Sequence, residues 1–291
     1  MDDILNIAFF LQALRITIPY LLPSLGATFS EKGGVINIAL EGILLVGAFS
    51  TTVGTFYTHN IFIGILCGVI SGVLIGLIHS YVAITFKANQ IVSGIAINIL
   101  ALGITKFFCK IIFNSSSNSE RIIGLETLNL PFNPFIILCV IILALSYISI
   151  YKTKFGLRLR AAGENPEAAD SLGINVNKMR YIGVLISGAL SGLGGSWLAF
   201  NQHSFTDGMS AGRGYIALAA MIIGKWNPLG AAVACLLFGF AESFTLQFQE
   251  SGIPTQFIQM LPYVLTIIVL AGFIGKATPP AADGIPYEKK D

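Results

Sequence analysis

The sequence has little charge for its length, because aspartate, glutamate, lysine and arginine together make up 11% of its 291 residues. Soluble globular domains carry about 25% charged residues. Hydrophobic residues make up 54% of this chain, and its mean hydropathy is +0.77. These values exclude a soluble globular protein and predict an integral membrane protein. The formal net charge of +2 gives no basic stripe, so no nucleic-acid partner is expected.

Cysteine is also scarce, and its four copies form no recognisable motif. Cys67, Cys109, Cys139 and Cys235 each lie in an apolar run without a C-x-x-C pair, which argues against a zinc site or a disulfide framework. The chain lacks H-E-x-x-H, and an intramembrane enzyme is the least favoured class. No cofactor and no metal are expected.

A phosphate-binding loop is missing as well. The nearest sequence is GFIGKA at 272–277, where the glycine spacing is wrong and Ala277 replaces the required serine or threonine. The chain is therefore expected not to hydrolyse ATP. If it drives uphill transport, the free energy must come from separate subunits.

Apolar runs long enough to cross a bilayer as helices recur along the chain. They cover residues 5–28, 34–57, 61–86, 90–113, 133–151, 180–201, 229–249 and 256–275. A ninth run, 215–224, is too short for a regular spanning helix and is expected to be re-entrant or broken. We predict an all-α, polytopic membrane bundle of about eight or nine transmembrane helices, built as one domain over residues 1–291.

The longest polar interruption, residues 152–180, carries six basic residues against three acids. The positive-inside rule places this loop in the cytoplasm, and alternation then places the C-terminus there and the N-terminus outside. Within the loop, Asn165 is a good N-cap, Pro166 suits the first helical position, Glu167 supplies an acid in the first turn and Gly173 a stop. This pattern predicts a short helix, from about 166 to 172, that is held outside the bilayer to dock on another protein.

Two ladders of small residues indicate close helix packing. One repeats at every fourth position from Gly64 to Ser80, and the other lies in ISGALSGLGGSW, residues 186–197. Small residues let helix backbones approach one another in a membrane. The first helix is expected to pack on a neighbour and the second to lie deep in the bundle. The alternative is that these contacts also slide during a conformational cycle.

Several polar side chains interrupt the apolar runs. Asn37 and Glu41 are four residues apart and are expected to share a helix face. The others are Asn98, Glu242, His79 and Arg15. Each alone is explained by an interhelical hydrogen bond or by snorkelling to the surface. Together they suggest a polar cavity, but no spaced series of acids or histidines indicates a proton relay.

Long strings of the sequence resemble a known family of membrane proteins. They are SEKGGVINIALEGILLVGAF (30–49), NQIVSGIAINILALGITKF (89–107), residues 156–200, residues 208–242 with GKWNPLGA, and residues 253–287 with LPYVLTIIVLAGFIGKATPPAADGIPY. The chain resembles permease subunits of ATP-binding-cassette importers for branched-chain amino acids, simple sugars and nucleosides. Among these it is most similar to nucleoside importers that work with a lipoprotein receptor.

The resemblance implies that the loop at 152–180 contains the coupling helix that docks on an ATPase. Glu167, Ala168, Ala169 and Gly173 match the E-A-A spacing of such loops, although the I-x-L-P that follows in other importer classes is absent. The residues expected to couple to the ATPase are Arg158, Arg160, Glu164, Asn165, Pro166, Glu167, Ala168, Ala169 and Gly173.

The resemblance also implies partners, a location and a substrate path. The partners are ATPase subunits, a second related permease in a heterodimer, and an extracytoplasmic lipoprotein receptor, all at a bacterial cytoplasmic membrane. Glu41, Asn98, Trp197 and Asn201 are candidates for the substrate path, because a nucleoside combines polar groups with a flat base. Trp197 and Tyr215 serve equally well as interfacial anchors. The alternative functions are a permease for simple sugars or branched-chain amino acids and, from another class, a secondary transporter or channel.

Overall fold

The computed structural model describes residues 7–125, 133–248, 260, 264 and 278–289. Across these residues the chain is helical, with one isolated β-bridge between Asn118 and Thr206. The α-helices are α1 (Ile7–Lys32), α2 (Leu40–Thr58), α3 (Ile61–Ser80), α4 (Gln90–Phe113), α5 (Pro134–Lys152), α6 (Lys154–Glu164), α7 (Pro166–Ser171), α8 (Val176–Gln202), α9 (Arg213–Ile223) and α10 (Pro228–Phe248). Residues Tyr81–Thr85 extend α3 as a π-helical turn. The predicted all-α class is confirmed.

Within the described residues, six helices are long and apolar enough to cross a membrane: α2, α3 with its π-turn, α4, α5, α8 and α10. Helix α1 has 26 residues, but it contains Pro19 and Pro23 and a charged last turn. The predicted segment 256–275 lies outside the described residues except for positions 260 and 264. The predicted loop helix is present as α7, but α6 beside it was not predicted.

The connection from α1 to α2 corrects one predicted boundary. We expected helix over 34–57, yet α2 begins only at Leu40. Gly34 has a φ of +88°, a left-handed conformation that ends α1. The amide of Ile36 then donates to the Gln90 side chain at 2.7 Å instead of to a helical carbonyl. Residues 33–39 form this α1–α2 break, so Asn37 and Glu41 do not share a helix face as predicted.

Helix α8 lies at the centre of the bundle and contacts α1, α2 and α3 along its length. Most of its residues from Ser187 to Phe200 are buried. By contrast α4 and α5 are peripheral, and their outward faces expose large apolar side chains such as Ile99, Phe107 and Val140. In a membrane such faces contact lipid, whereas the small residues face other helices.

Contact between α3 and α8 is made backbone to backbone. A Cβ atom built on Gly72 would lie 2.3 Å from the carbonyl oxygen of Gly188, and one on Gly192 would lie 2.3 Å from the carbonyl oxygen of Gly68. A Cβ atom on Gly47 of α2 would lie 2.7 Å from the carbonyl oxygen of Gly192. No larger residue has room at these positions. Both predictions from the small-residue ladders, close packing of α3 and a deep position for α8, are confirmed.

The two ends of the bundle can be told apart by the helices that meet there. Helix α1 runs antiparallel to α8, because Gly26 contacts Ser187, and antiparallel to α10, because Gly239 contacts Thr17. We call the end with α6, α7 and the start of α8 the basic end, and the other the opposite end. Helix α8 finishes at the opposite end and α10 starts at the basic end.

The chain between α8 and α10 must therefore run from one end of the bundle to the other. Helix α9 has 11 residues, about 16 Å at 1.5 Å per residue, and covers only part of that distance. The non-helical residues 203–212 cover the rest. The ninth segment was predicted to be either re-entrant or broken. The structure has a broken crossing, in which the non-helical residues 203–212 are followed by α9.

The packing of α3 on α8 predicts the effect of a single methyl group. Gly192→Ala should lower the melting temperature of the detergent-purified protein clearly, because overpacking a tight core contact costs about 1–3 kcal/mol. Gly103→Ala on α4 is the matched control, since a Cβ atom added there would meet nothing within 4 Å. A Gly192→Ala protein that melts like the control would contradict the described packing.

Candidate functional site

The short helix α7 projects from the basic end and is capped as its sequence predicts. The Asn165 side chain accepts a hydrogen bond from the amide of Ala168 at 3.0 Å, and Pro166 occupies the first turn. Gly173 has a φ of +77°, and its amide donates to the carbonyl of Asp170. Asn165, Glu167, Ala168 and Gly173 are exposed, whereas Ala169 is buried beneath the helix. The predicted N-cap and stop are confirmed, and the predicted coupling role stays a prediction.

The other predicted coupling residues lie on α6 and point in different directions. Arg158 is exposed. The guanidinium of Arg160 lies over the ring of Tyr151, 5.2 Å from its centre, so this residue contacts its own bundle. The carboxylate of Glu164 accepts a hydrogen bond from the amide of Ala281 at 3.2 Å. Arg158 and Glu164 are therefore both exposed, whereas Arg160 is half-buried.

Leu172 is a surface feature that the sequence pattern did not predict. It follows the last helical residue of α7, and 80% of its surface is exposed. Burial of a leucine side chain is favourable by about 1.5–3 kcal/mol, which makes Leu172 a candidate contact for a partner protein. In the sequence, this exposed residue could have been recognised as a single leucine between Ser171 and Gly173 in a mostly polar loop.

Glu41 has its partners at the start of α9. One carboxylate oxygen accepts a hydrogen bond from the amide of Gly212 and the other from that of Gly214, each at 2.7 Å. A negative charge at a helix N-terminus is favourable, because unpaired amides and the helix dipole converge there. Glu41 therefore anchors the broken crossing to α2.

Asn98 is held just as firmly in the same region. Its side-chain oxygen accepts from the amide of Gly42 at 2.8 Å, and its amide nitrogen donates to the carbonyl of Ile38 and to the Tyr215 hydroxyl. Glu41 and Asn98 thus form one polar cluster that ties the α1–α2 break to α4 and α9. Tyr215 belongs to this cluster, whereas it was expected as a path residue or an interfacial anchor.

Trp197 and Asn201 lie elsewhere, in a cavity of about 500 Å³ at the opposite end of the bundle. The cavity is lined by Leu11, Gln12, Arg15, Ile16, Pro19, Trp197, Leu198, Asn201, Arg213 and Leu246. Two arginines, two carboxamides and one indole combine charge, hydrogen-bonding groups and an aromatic surface. The four predicted path residues therefore separate into two pairs, of which Trp197 and Asn201 line this cavity.

Arg213 of the cavity is fixed in position. Its guanidinium donates to Glu242 at 2.9 Å and to the carbonyl of Met209 at 3.3 Å. The Tyr20 hydroxyl donates to the other oxygen of Glu242. Arg15 was among the polar residues expected to form a cavity, whereas Arg213 was missed because it follows a glycine in a loop.

Hydrogen bonds within the bundle account for the presence of His79 in an apolar run. It is buried, and its ring nitrogens lie 3.0 Å from the Ser93 hydroxyl and 3.0 Å from the carbonyl oxygen of Ile36. These bonds hold the α1–α2 break against α3 and α4. The interhelical hydrogen bond considered for this residue is therefore present.

Known proteins share both the sequence and the fold of this chain. Residues 9–270 match the family described as the permease component of the branched-chain amino acid transport system. The guanosine ABC transporter permease protein NupQ of Bacillus subtilis is 42% identical, and the match covers 93% of each chain. The nucleoside ABC transporter permease protein NupC of Lactococcus lactis is 40% identical, again over 93% of each chain.

Both organisms have another, more distant relative. NupP of Bacillus subtilis, also a guanosine ABC transporter permease protein, is 25% identical over 90% of this chain and 81% of its own. NupB of Lactococcus lactis, a nucleoside ABC transporter permease protein, is 22% identical over 94% and 82%.

The fold also matches a solved structure. A chain described as belonging to a metal-chelate type ABC transporter in an inward-facing conformation superimposes with a TM-score of 0.53. It shares 17% sequence identity and covers 90% of this chain and 84% of its own, a likeness that concerns the fold alone. Together with the match over residues 9–270, the polytopic helical fold shows that this chain belongs to the family of ABC transporter permease components of the branched-chain amino acid type.

Proposed function

We propose that this permease moves nucleosides into the cell as part of an ABC importer. The observation that carries the proposal is the identity of 42% and 40% to guanosine and nucleoside permeases over 93% of the chain. The cavity supports it, because an indole face beside carboxamides and guanidinium groups suits a flat base joined to a polar sugar. Permeases for simple sugars or branched-chain amino acids remain the alternative within the family.

Helix α7 is the proposed docking element for the ATPase. It is capped at both ends and stands out from the basic end of the bundle. The basic residues of 152–180 favour a cytoplasmic location for this end, where ATP is available. Leu172 would enter a pocket on the ATPase, with Glu167 and Arg158 beside it making polar contacts.

A second, related permease is the proposed partner in the membrane. In each of two organisms, one relative is at least 40% identical to this chain and another is 25% identical or less. Both relatives of each organism are named for the same type of substrate. This pattern supports a heterodimer of one permease of each kind.

The opposite end would then face a lipoprotein receptor outside the cell. The cavity beside Trp197 and Asn201 lies at this end and would accept the nucleoside that the receptor releases. Closure of the ATPase dimer would move α7 and shift the bundle between outward-open and inward-open states. A secondary transporter would need no such exposed, capped helix.

Uptake by whole cells tests the substrate. We expect deletion of the gene to abolish ATP-dependent uptake of radiolabelled guanosine, adenosine or uridine, and re-expression of the chain to restore it. Unchanged nucleoside uptake together with lost sugar or amino-acid uptake would move the protein to another branch of its family.

Replacement of the exposed leucine tests the docking of α7. Leu172→Asp should reduce uptake and ATPase copurification by at least about tenfold, because burial of a leucine side chain is worth about 1.5–3 kcal/mol. The amount of permease in the membrane should not change, because the side chain is 80% exposed. Asn177→Asp is the control, as it adds the same charge at an exposed neighbouring position outside α7.

If both aspartate variants transport normally, α7 is not the docking element. Separate measurement of membrane content, ATPase stimulation and uptake distinguishes a lost partner from a lost fold.

Replacement of a carboxamide tests the cavity. Asn201→Leu should raise the KM for nucleoside by about tenfold, since a lost hydrogen bond to the cargo costs about 0.5–1.5 kcal/mol and the unpaired polar group adds to this. Gln202→Leu is the matched control, because it is exposed on the same turn but does not line the cavity. Equal KM values for the two variants would exclude the cavity from the substrate path.

A further inference from the structure

The C-terminal residues 278–289, which we call the strap, lie across the basic end of the bundle. The amide of Ala282 donates to the carbonyl of Gly163 at 2.9 Å, close to where Ala281 bonds Glu164. Further along, Tyr287 packs on the apolar cluster formed by Ala162, Ala169 and Val176. The strap therefore covers the junction of α6, α7 and α8.

Two ion pairs extend the strap to either side. Glu288 bonds the Lys87 ammonium at 2.6 Å, just before α4, and Lys289 lies 4.0 Å from Asp170 of α7. All four side chains are at least partly exposed, so these pairs add little to stability. They do show that one short segment contacts both α7 and the membrane bundle.

Arg180 connects the strap to α8. It is 1% exposed, and its guanidinium donates to the carbonyl of Ile285 at 2.8 Å and to that of Ala282 at 3.5 Å. A buried cation is costly unless it is hydrogen-bonded and compensated. The chain tolerates the charge because the strap supplies both carbonyls and the nearby acid Asp283.

The strap also reaches the α1–α2 break. A Cβ on Gly34 would lie 3.0 Å from the Arg180 guanidinium and 3.2 Å from the carbonyl oxygen of Ala282, and one on Gly163 would lie 2.3 Å from the carbonyl oxygen of Lys32. The break, α6 and the strap therefore meet without intervening side chains. A displacement of α6 cannot occur here without moving the break.

Asp283 adds a contact with the last turn of α1. It hydrogen-bonds the Glu31 side chain, and burial raises the pKa of Asp283 to about 7. Glu31 in turn accepts a hydrogen bond from the Trp226 indole at 2.6 Å, in the connection between α9 and α10. The strap is thus linked through Glu31 to the connection that follows α9.

We propose that the strap, held by Arg180, makes α6, α7 and the α1–α2 break move as one body, and that Arg180 is a positioning residue for transport. The inference rests on the proposed docking of α7. Movement imposed on α7 then reaches the break directly. The break leads into Ile38 and Gly42, which the side chain of Asn98 binds beside the start of α9.

The test uses the complete transporter in proteoliposomes, with nucleoside transport and ATP hydrolysis measured in the same sample. Arg180→Lys keeps the charge but cannot donate to both carbonyls from a planar fork. We expect its ATPase rate and its KM for nucleoside to match those of wild type, because Arg180 bonds the strap and does not line the cavity. The number of nucleosides moved per ATP should fall about tenfold, a typical size for a coupling effect.

Lys178→Gln is the matched control, because Lys178 is exposed in the first turn of α8 and its side chain makes no hydrogen bond or ion pair with the described part of the strap. Unchanged transport per ATP in Arg180→Lys would overturn the proposal. If Arg180→Lys lost binding of the ATPase while transport per ATP stayed normal, the proposal would also be overturned, because Arg180 would then serve assembly of the complex. Wild-type complex that moves no nucleoside would instead reject the proposed function.

A second measurement does not depend on Arg180. Asp170→Cys combined with Lys289→Cys allows a short, reducible bifunctional reagent to join α7 to the strap. A body that moves as one should transport normally when bridged, with each single-cysteine variant as control. If bridging stops transport and reduction restores it, the strap must separate from α7 during the cycle and the proposal fails.

Discussion

Close backbone contact along α8 is the constraint on which the rest of the structure depends. Lipid tails are as apolar as leucine, so burial of apolar side chains cannot by itself hold membrane helices together. Here glycine removes the side chains from the seam, and Gly72 and Gly188 approach until even one Cβ would lie 2.3 Å from a carbonyl oxygen. Dispersion between the backbones of α3, α2 and α8 then fixes the centre of the bundle.

Around that centre, the polar groups of the interior are used to hold irregular backbone. The α1–α2 break leaves backbone groups outside any helix: Gln90 accepts from the amide of Ile36, and Asn98 donates to the carbonyl of Ile38. The start of α9 does the same with the carboxylate of Glu41. Non-helical backbone inside a membrane protein needs such partners, because the lipid offers none. These clusters lie between the basic end, where α7 projects, and the cavity at the opposite end.

The sequence predicted features that depend on neighbouring residues. The cap at Asn165, the stop at Gly173 and the small-residue face of α3 are all local patterns, and each is present. The connection between α1 and α2 was predicted at 29–33, but the break lies at 33–39, because hydropathy does not separate the mostly apolar, non-helical residues 35–39 from helix. Helix α6 was missed because its stretch was interpreted by charge alone, although Thr153 caps its first turn by accepting from the amide of Gly156.

Contacts between distant parts of the chain could not be predicted at all. Glu41 meets amides about 170 positions away, and Arg180 meets carbonyls more than 100 positions away. In the sequence, Arg180 looks like one more of the basic residues that place the loop 152–180 on the cytoplasmic side. Only the folded chain separates Arg180, which is enclosed, from Arg158, which is exposed.

The central claim is that this chain converts the ATP cycle of another subunit into movement of nucleosides. The most direct measurement is accumulation of labelled guanosine by proteoliposomes that contain the permeases, the ATPase and the receptor, with no ion gradient. We expect guanosine to be concentrated above its external level only when the ATPase can hydrolyse ATP. Accumulation that follows an imposed ion gradient and proceeds without ATP would contradict the claim.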